Sequence, residues 1–123
     1  VKALCDQGLK YHTASVCIPP RFVKRAGDYV GNDLKICTVI GFPNGYNSTE
    51  TKVFETEDAI RGGADEIDLV ISLGLVKAGD WDGVLAEIKA VSIARWRNVR
   101  AADSPTQERF SRHSVPPVWI TPH

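Results

Sequence analysis

Three acids crowd the stretch GGADEIDLVI: Asp65, Glu66 and Asp68. A carboxylate held near a reacting group can take up or release a proton. Setting one in an apolar run costs several kcal/mol, roughly, unless it is paired, hydrogen-bonded or neutralised. Apart from its acids, EIDLVI (66–71) reads as a buried strand. Side chains alternate across a strand, so Ile67, Leu69 and Ile71 share one face and Glu66, Asp68 and Val70 the other. The all-apolar face suits packing against helices. The face carrying Asp68 must look into a sheet interior, a barrel lumen or a cleft, where that acid needs a partner or a task. Asp65 and Glu66 lie at the strand's entrance, and water is expected to reach them.

Other residues able to do chemistry are more scattered. Cys5, Cys17 and Cys37 are widely spaced, form no CxxC and have only His12 nearby. They read as free thiols in a reducing compartment rather than as zinc ligands, which points to the cytoplasm. A lysine that forms a Schiff base must be neutral at working pH, so it needs a desolvated or cationic setting. Lys35 begins a strand, Lys52 and Lys89 fall on predicted helices, and Lys77 follows the strand of Asp68 in an exposed-looking VKAGD. None of them has the setting of a nucleophile. GFPNG (41–45) is a loop at a strand's carboxyl end, where ligands bind in parallel α/β proteins. There is no P-loop and no GxGxxG. The NST at 47–49 reads as a chance match to a glycosylation acceptor.

The elements that must position these residues alternate regularly. VKALCDQGLK places Val1, Leu4, Cys5 and Leu9 along one helical stripe. ASVCI (14–18) is a short strand stopped by Pro19 and Pro20, and Pro20 can open a helix through RFVKRAGDYV. Gly31 and Asn32 end that helix. KICTVIGF (35–42) is a β-branched run, hence a strand. Asn47, with Glu50 three residues on, fits a cap for a helix over roughly 49–61, stopped by Gly62 and Gly63. After the third strand and a glycine-containing connection, Asp80 can cap a helix from Trp81 that buries Val84, Ile88 and Val91. Strands separated each time by a helix imply parallel pairing. A barrel and a doubly wound sheet both satisfy the pattern.

The chain has 123 residues and a formal net charge of zero, so nothing overall points to nucleic acid or an anionic membrane. No apolar run approaches the roughly 20 residues needed to span a bilayer, and no leader peptide opens the sequence. The averages hide a break. Residues 1–90 hold all seven lysines, three arginines and thirteen acids; residues 91–123 hold five arginines, two acids and four of the seven prolines. We therefore divide the chain into 1–91, regular in pattern, and 92–123, an Arg/Pro-rich tail expected to be irregular. Trp96, Phe110 and Trp119 interleave with its arginines, yet a tail without a fold is the simpler reading than a nucleic-acid contact.

ASVCIPPRFV, KICTVIGFPNG, ETEDAIRGGADEIDLVI and LGLVKAGDWDGVLAEIKAV together resemble 2-deoxyribose-5-phosphate aldolase, a class I aldolase family on a (β/α)8 (TIM) barrel. The resemblance covers residues 1 to about 91 and makes the fold class α/β: a partial barrel whose three strands correspond to the family's second, third and fourth. It implies reversible cleavage of 2-deoxy-D-ribose 5-phosphate to glyceraldehyde 3-phosphate and acetaldehyde through a lysine Schiff base, with no metal or organic cofactor. It assigns Asp68 to proton transfer and places Cys17 and Phe42 at or near the substrate pocket. Both family lysines and the phosphate-binding loops have no counterpart in this sequence. Ser72 stands where many relatives carry asparagine. After EIKAV the sequence departs abruptly, as a reading-frame shift or a mis-joined exon would make it. Two other readings are a non-catalytic fragment that self-associates through open sheet edges and an unrelated α/β binding domain.

Overall fold

The computed structural model describes residues 1–100 and 118–121, with the side chains of 98–100 excepted. Helix α1 (Lys2–Tyr11) leads into strand β1 (Ser15–Ile18), and a 3-10 turn at Pro20–Phe22 opens α2 (Val23–Val30). Strand β2 (Lys35–Ile40) is followed by α3 (Thr49–Arg61), strand β3 (Glu66–Val70), a short α4 (Leu73–Lys77) and a long α5 (Trp81–Arg100). Strand β4 (Val118–Thr121) completes the described residues. All pairings are parallel, and the strand order β1-β2-β3-β4 follows the chain. A doubly wound sheet reverses its strand order at a switch point. This sheet has no reversal, so it is wound like a barrel.

Local chemistry sets the boundaries. Gly31 ends α2 with φ 56°, a conformation that costs glycine nothing. Ser48, one residue beyond the expected Asn47, caps α3 by accepting from the Thr51 N–H at 3.2 Å. Asp80 caps α5 by accepting from the Gly83 N–H at 2.9 Å. The core lies on one side of the sheet. Val16 and Ile18, Ile36 and Ile40, and Ile67 and Leu69 pack against Cys5, Val23, Ala26, Val30, Ala59, Ile60 and Val91 from the helices. The opposite face carries Cys17, Cys37, Val39, Glu66, Asp68 and Trp119, in registered rows Cys17–Cys37–Glu66 and Val39–Asp68–Trp119.

Three expectations need correcting. Glu66 is 7% exposed, not solvated; its place next to Cys37 in the register puts it inside the row rather than at a wet strand end. The connection after β3 contains a helix, α4, capped by Ser72. Residues 92–100, expected to be irregular, continue α5, and 118–121 form a fourth strand. The remainder of that tail lies outside the described residues. Val91 and Ala94 keep the buried stripe of α5 going across the break in composition, and Val, Trp, Ile and Thr all favour a pleated surface.

Candidate active site

Ligands in parallel α/β folds gather at the carboxyl ends of the strands, and in this chain that end is organised by a polar chain. Gly41, directly after β2, donates its N–H to Glu55 Oε2 at 2.8 Å and accepts from the Gly45 N–H at 2.8 Å. The Gly45 carbonyl in turn accepts from Lys52 Nζ at 2.6 Å. Lys52 also forms a salt bridge with Glu87 Oε1, both side chains being fully buried. The other Glu87 oxygen accepts from the Ser72 N–H, just past β3, at 3.1 Å. One lysine and one glutamate thereby lock the β2–α3 loop and the segment after β3 to helices α3 and α5. Both glycines are needed. A Cβ on Gly41 would meet the Lys52 stem at 2.8 Å, and one on Gly45, whose φ is 69°, would collide with the Ile71 carbonyl.

Asp68 sits in β3 on the face away from the core, as strand parity requires, and is partly buried. Its Oδ1 accepts a hydrogen bond from the Thr121 hydroxyl on β4. Val39 and Trp119 are its register neighbours. The carboxylate is therefore held from one side by a neutral donor. None of the described residues forms a salt bridge with it. Asp65, by contrast, is structural: its carboxylate accepts from the Ile36 N–H at 2.8 Å, and its own N–H donates to the Ile36 carbonyl at 2.8 Å.

Cys17 lies exposed on the same face as Asp68, one strand further along, and pairs in register with buried Cys37. Burial pushes both thiols up, Cys37 most strongly; the nearby Glu66 and Asp68 charges act in the same direction. All three cysteines are free. Phe42 is 56% exposed, two residues past the end of β2. Strand register thus brings Cys17 of β1 and Asp68 of β3 to one face, whereas Phe42 lies in the loop after β2, outside the strand register.

The lysines divide as their positions dictate. Lys35 begins β2, at the opposite end of the sheet, and is exposed. Lys77 ends α4 and Lys89 lies on α5, both exposed. Lys52 is committed to Glu87. Sequence reasoning set Lys52 aside as a helical lysine without a desolvated setting, whereas it is fully buried, and passed over Glu87 and Thr121. A signal for the first two existed: Lys52 is in phase with the buried Thr56, Ala59 and Ile60, and Glu87 with Val84, Val91 and Ala94. Charged residues on buried stripes need partners.

Residues 1–94 match the family model of the DeoC/LacD family aldolases. Over 94 residues, 76% of this chain, the sequence is 55% identical to the deoxyribose-phosphate aldolase of Streptococcus pyogenes serotype M4 and 52% identical to that of Clostridioides difficile. The chain covers 42% and 43% of those two proteins, less than half their length. Among solved structures it resembles QR15, an aldolase, with a TM-score of 0.73 and 34% identity, covering 80% of this chain and 44% of that one. It also resembles the tetrameric deoxyribose phosphate aldolase of Aeropyrum pernix, with a TM-score of 0.68 and 25% identity over 79% of this chain and 41% of the other. The barrel-like strand order, the acid on the inner face of β3 and the sequence match converge on one assignment: this chain belongs to the DeoC/LacD aldolase family.

Proposed function

We propose that this chain carries part of a deoxyribose-phosphate aldolase site, with Asp68 as its proton-transfer group and Cys17 and Phe42 bordering the pocket for a sugar phosphate. In the cleavage direction an amine condenses with the C1 aldehyde of open-chain 2-deoxyribose 5-phosphate and releases water. Removal of the C3 hydroxyl proton, directly or through a water, then lets the C2–C3 bond break. The electron pair moves to the iminium to give an enamine, and glyceraldehyde 3-phosphate departs. Protonation at C2 and hydrolysis return acetaldehyde. A carboxylate serves the proton transfers, and Asp68, midway along β3, is the inner-face acid that lies nearer the strand's carboxyl end than Glu66. That placement is the observation on which the reading rests. The free cysteines suit a reducing compartment, the cytoplasm. Among the described residues no helix is long and apolar enough to cross a membrane.

The chemistry also bounds what 123 residues do alone. Lys52 is paired with Glu87, and Lys35, Lys77 and Lys89 are exposed rather than desolvated, so none of these four has the setting of a Schiff-base amine. Borohydride trapping with 2-deoxyribose 5-phosphate, read by intact mass, is expected to leave this chain unmodified. In a full-length relative, replacing the aspartate that matches Asp68 by asparagine lowers turnover about 10²–10⁴-fold with little change in substrate affinity. Near-normal turnover in that variant would remove Asp68 from the mechanism.

A further inference from the structure

We propose that Cys17 and Cys37 are a reversible modification site, a dithiol that a low-molecular-weight disulfide such as glutathione disulfide oxidises to a bond tying β1 to β2. The proposal is independent of the aldolase reading, because the bond joins two strands already paired in register. Cys17 and Cys37 are direct partners in that parallel register. Val16 and Ile18 of β1 and Ile36 and Ile40 of β2 belong to the core, so alternation turns both cysteines to the opposite face. Neighbouring strands lie about 4.7–4.9 Å apart, inside the roughly 4.4–6.8 Å between Cα atoms that a disulfide spans. The thiols are also near enough for a hydrogen bond between them. A disulfide brings its Cβ atoms to about 3.5–4.5 Å, slightly less than the strand spacing. The bond therefore draws the two strands together, and a strained disulfide is a labile one. That suits a reversible pair rather than a permanent staple.

Exposure sets the order of events. Cys17 is exposed, whereas Cys37 is 5% exposed, so the oxidant enters at Cys17. The Cys17 thiol loses its proton, and its sulfur attacks one sulfur of glutathione disulfide. One glutathione leaves and takes up a proton; the other stays on Cys17 as a mixed disulfide. Cys37 then loses its proton and attacks the Cys17 sulfur. The bond between Cys17 and glutathione breaks, and the second glutathione leaves as a thiol. The two cysteines lose two electrons, glutathione disulfide gains them, and the two thiol protons end on the two glutathiones. Burial raises the proton affinity of both thiols. Only the thiolate attacks, so the exchange is slow at neutral pH and completes under sustained oxidation. Cys5 takes no part: it is fully buried on α1, among the core residues on the other side of the sheet.

The test equilibrates the full chain in glutathione buffers graded from reduced to oxidised, quenches with acid, alkylates the remaining thiols and maps the peptides by mass. In the oxidised buffer the chain is expected to become lighter by two hydrogen atoms. The Cys17 and Cys37 peptides are then joined within one chain, and Cys5 is still alkylated. Return to the reduced buffer restores both thiols. Cys37→Ala removes the second attack, so Cys17 is expected to accumulate a glutathione adduct that the wild type holds only in passing. Cys17→Ala leaves Cys37 a thiol in every buffer. The wild-type map decides the matter without either variant. Two free thiols in the oxidised buffer, a wild type that stops at the glutathione adduct, a bridge to Cys5 or to a second chain, or a bond that the reduced buffer does not open overturns the proposal.

Discussion

Lys52 and Glu87 stand 35 residues apart in sequence and meet inside the protein with neither side chain reaching solvent. The cation has two partners, the Glu87 carboxylate and the Gly45 carbonyl; the anion has two, Lys52 and the Ser72 N–H. Desolvating two charges is offset only when their remaining hydrogen-bonding capacity is met in this way. Removing one partner is therefore far worse than removing both. Lys52→Met is expected to destabilise the fold by about 3–5 kcal/mol, while Lys52→Met/Glu87→Leu recovers most of that loss. Urea denaturation of the two variants measures the difference.

Gly45 and Gly31 separate backbone freedom from space. Both have positive φ, 69° and 56°, but a Cβ at Gly45 collides with the Ile71 carbonyl whereas one at Gly31 meets nothing within 4 Å. Gly31→Ala is expected to cost about 1–3 kcal/mol of backbone strain with no clash added, because φ 56° with ψ −125° lies outside the left-handed well that other residues can enter. Gly45→Ala costs more than about 2 kcal/mol and loosens the loop that Lys52 holds. Thermal unfolding ranks the two, with Gly45→Ala the lower.

Thr121 is the donor that Asp68 finds on β4. Thr121→Val keeps the shape and removes the hydroxyl, at an expected cost of about 1–2 kcal/mol for a partly buried bond to a charged group. The loss should be local. Amide exchange in β4 accelerates, while exchange in β1 and β2 stays at the wild-type rate.

Cys17 is exposed but slow to react. Only the thiolate is a nucleophile, and desolvation raises the pKa of Cys17 above the ordinary thiol value, with Asp68 and Glu66 adding to it. A raised pKa means less thiolate at neutral pH. Alkylation by iodoacetamide is therefore expected to be slower than that of free cysteine at pH 7, and its rate should still be climbing above the ordinary thiol pKa of about 8.5. Peptide mass mapping of the alkylated site gives the profile.

The alternation of strand and helix was legible because each element carries its own signal. The β-branched run of β2, the 49–61 span of α3 and the Asp80 cap of α5 all appear where residue types placed them. The orientation of Asp68 was legible too, since strand parity is local. What the sequence concealed depends on which elements touch. The Lys52–Glu87 pair exists only because α3 packs on α5. The fourth strand is four residues long and follows a stretch with no period, so no window could reveal that VWIT lies beside EIDLV. Glu66 looked solvated because it begins its strand, and a neighbouring strand buries it. Arg95 belongs with these. It is 6% exposed on the stripe of α5, and among the described residues its Nε has no hydrogen-bond partner. It is also the first residue beyond the family match, which ends at 94.

The pairing of β3 with β4 joins residues 53 positions apart through Asp68 and Thr121, whereas β1 and β2 pair across 20. The entropy of closing a loop rises with its length, and contacts between distant residues slow a folding reaction. The two pairings should therefore form in sequence. The successive β1-β2 and β2-β3 units, each closed by a short local excursion, condense first and present the outer side of β3 as a finished template. The last four described residues then add to an edge that is already rigid. Their gain is one row of backbone hydrogen bonds and the Thr121–Asp68 contact, set against the entropy of closing so long a loop. Among the four strands β4 is accordingly expected to open most readily, and Asp68 then loses its donor each time that strand lifts away.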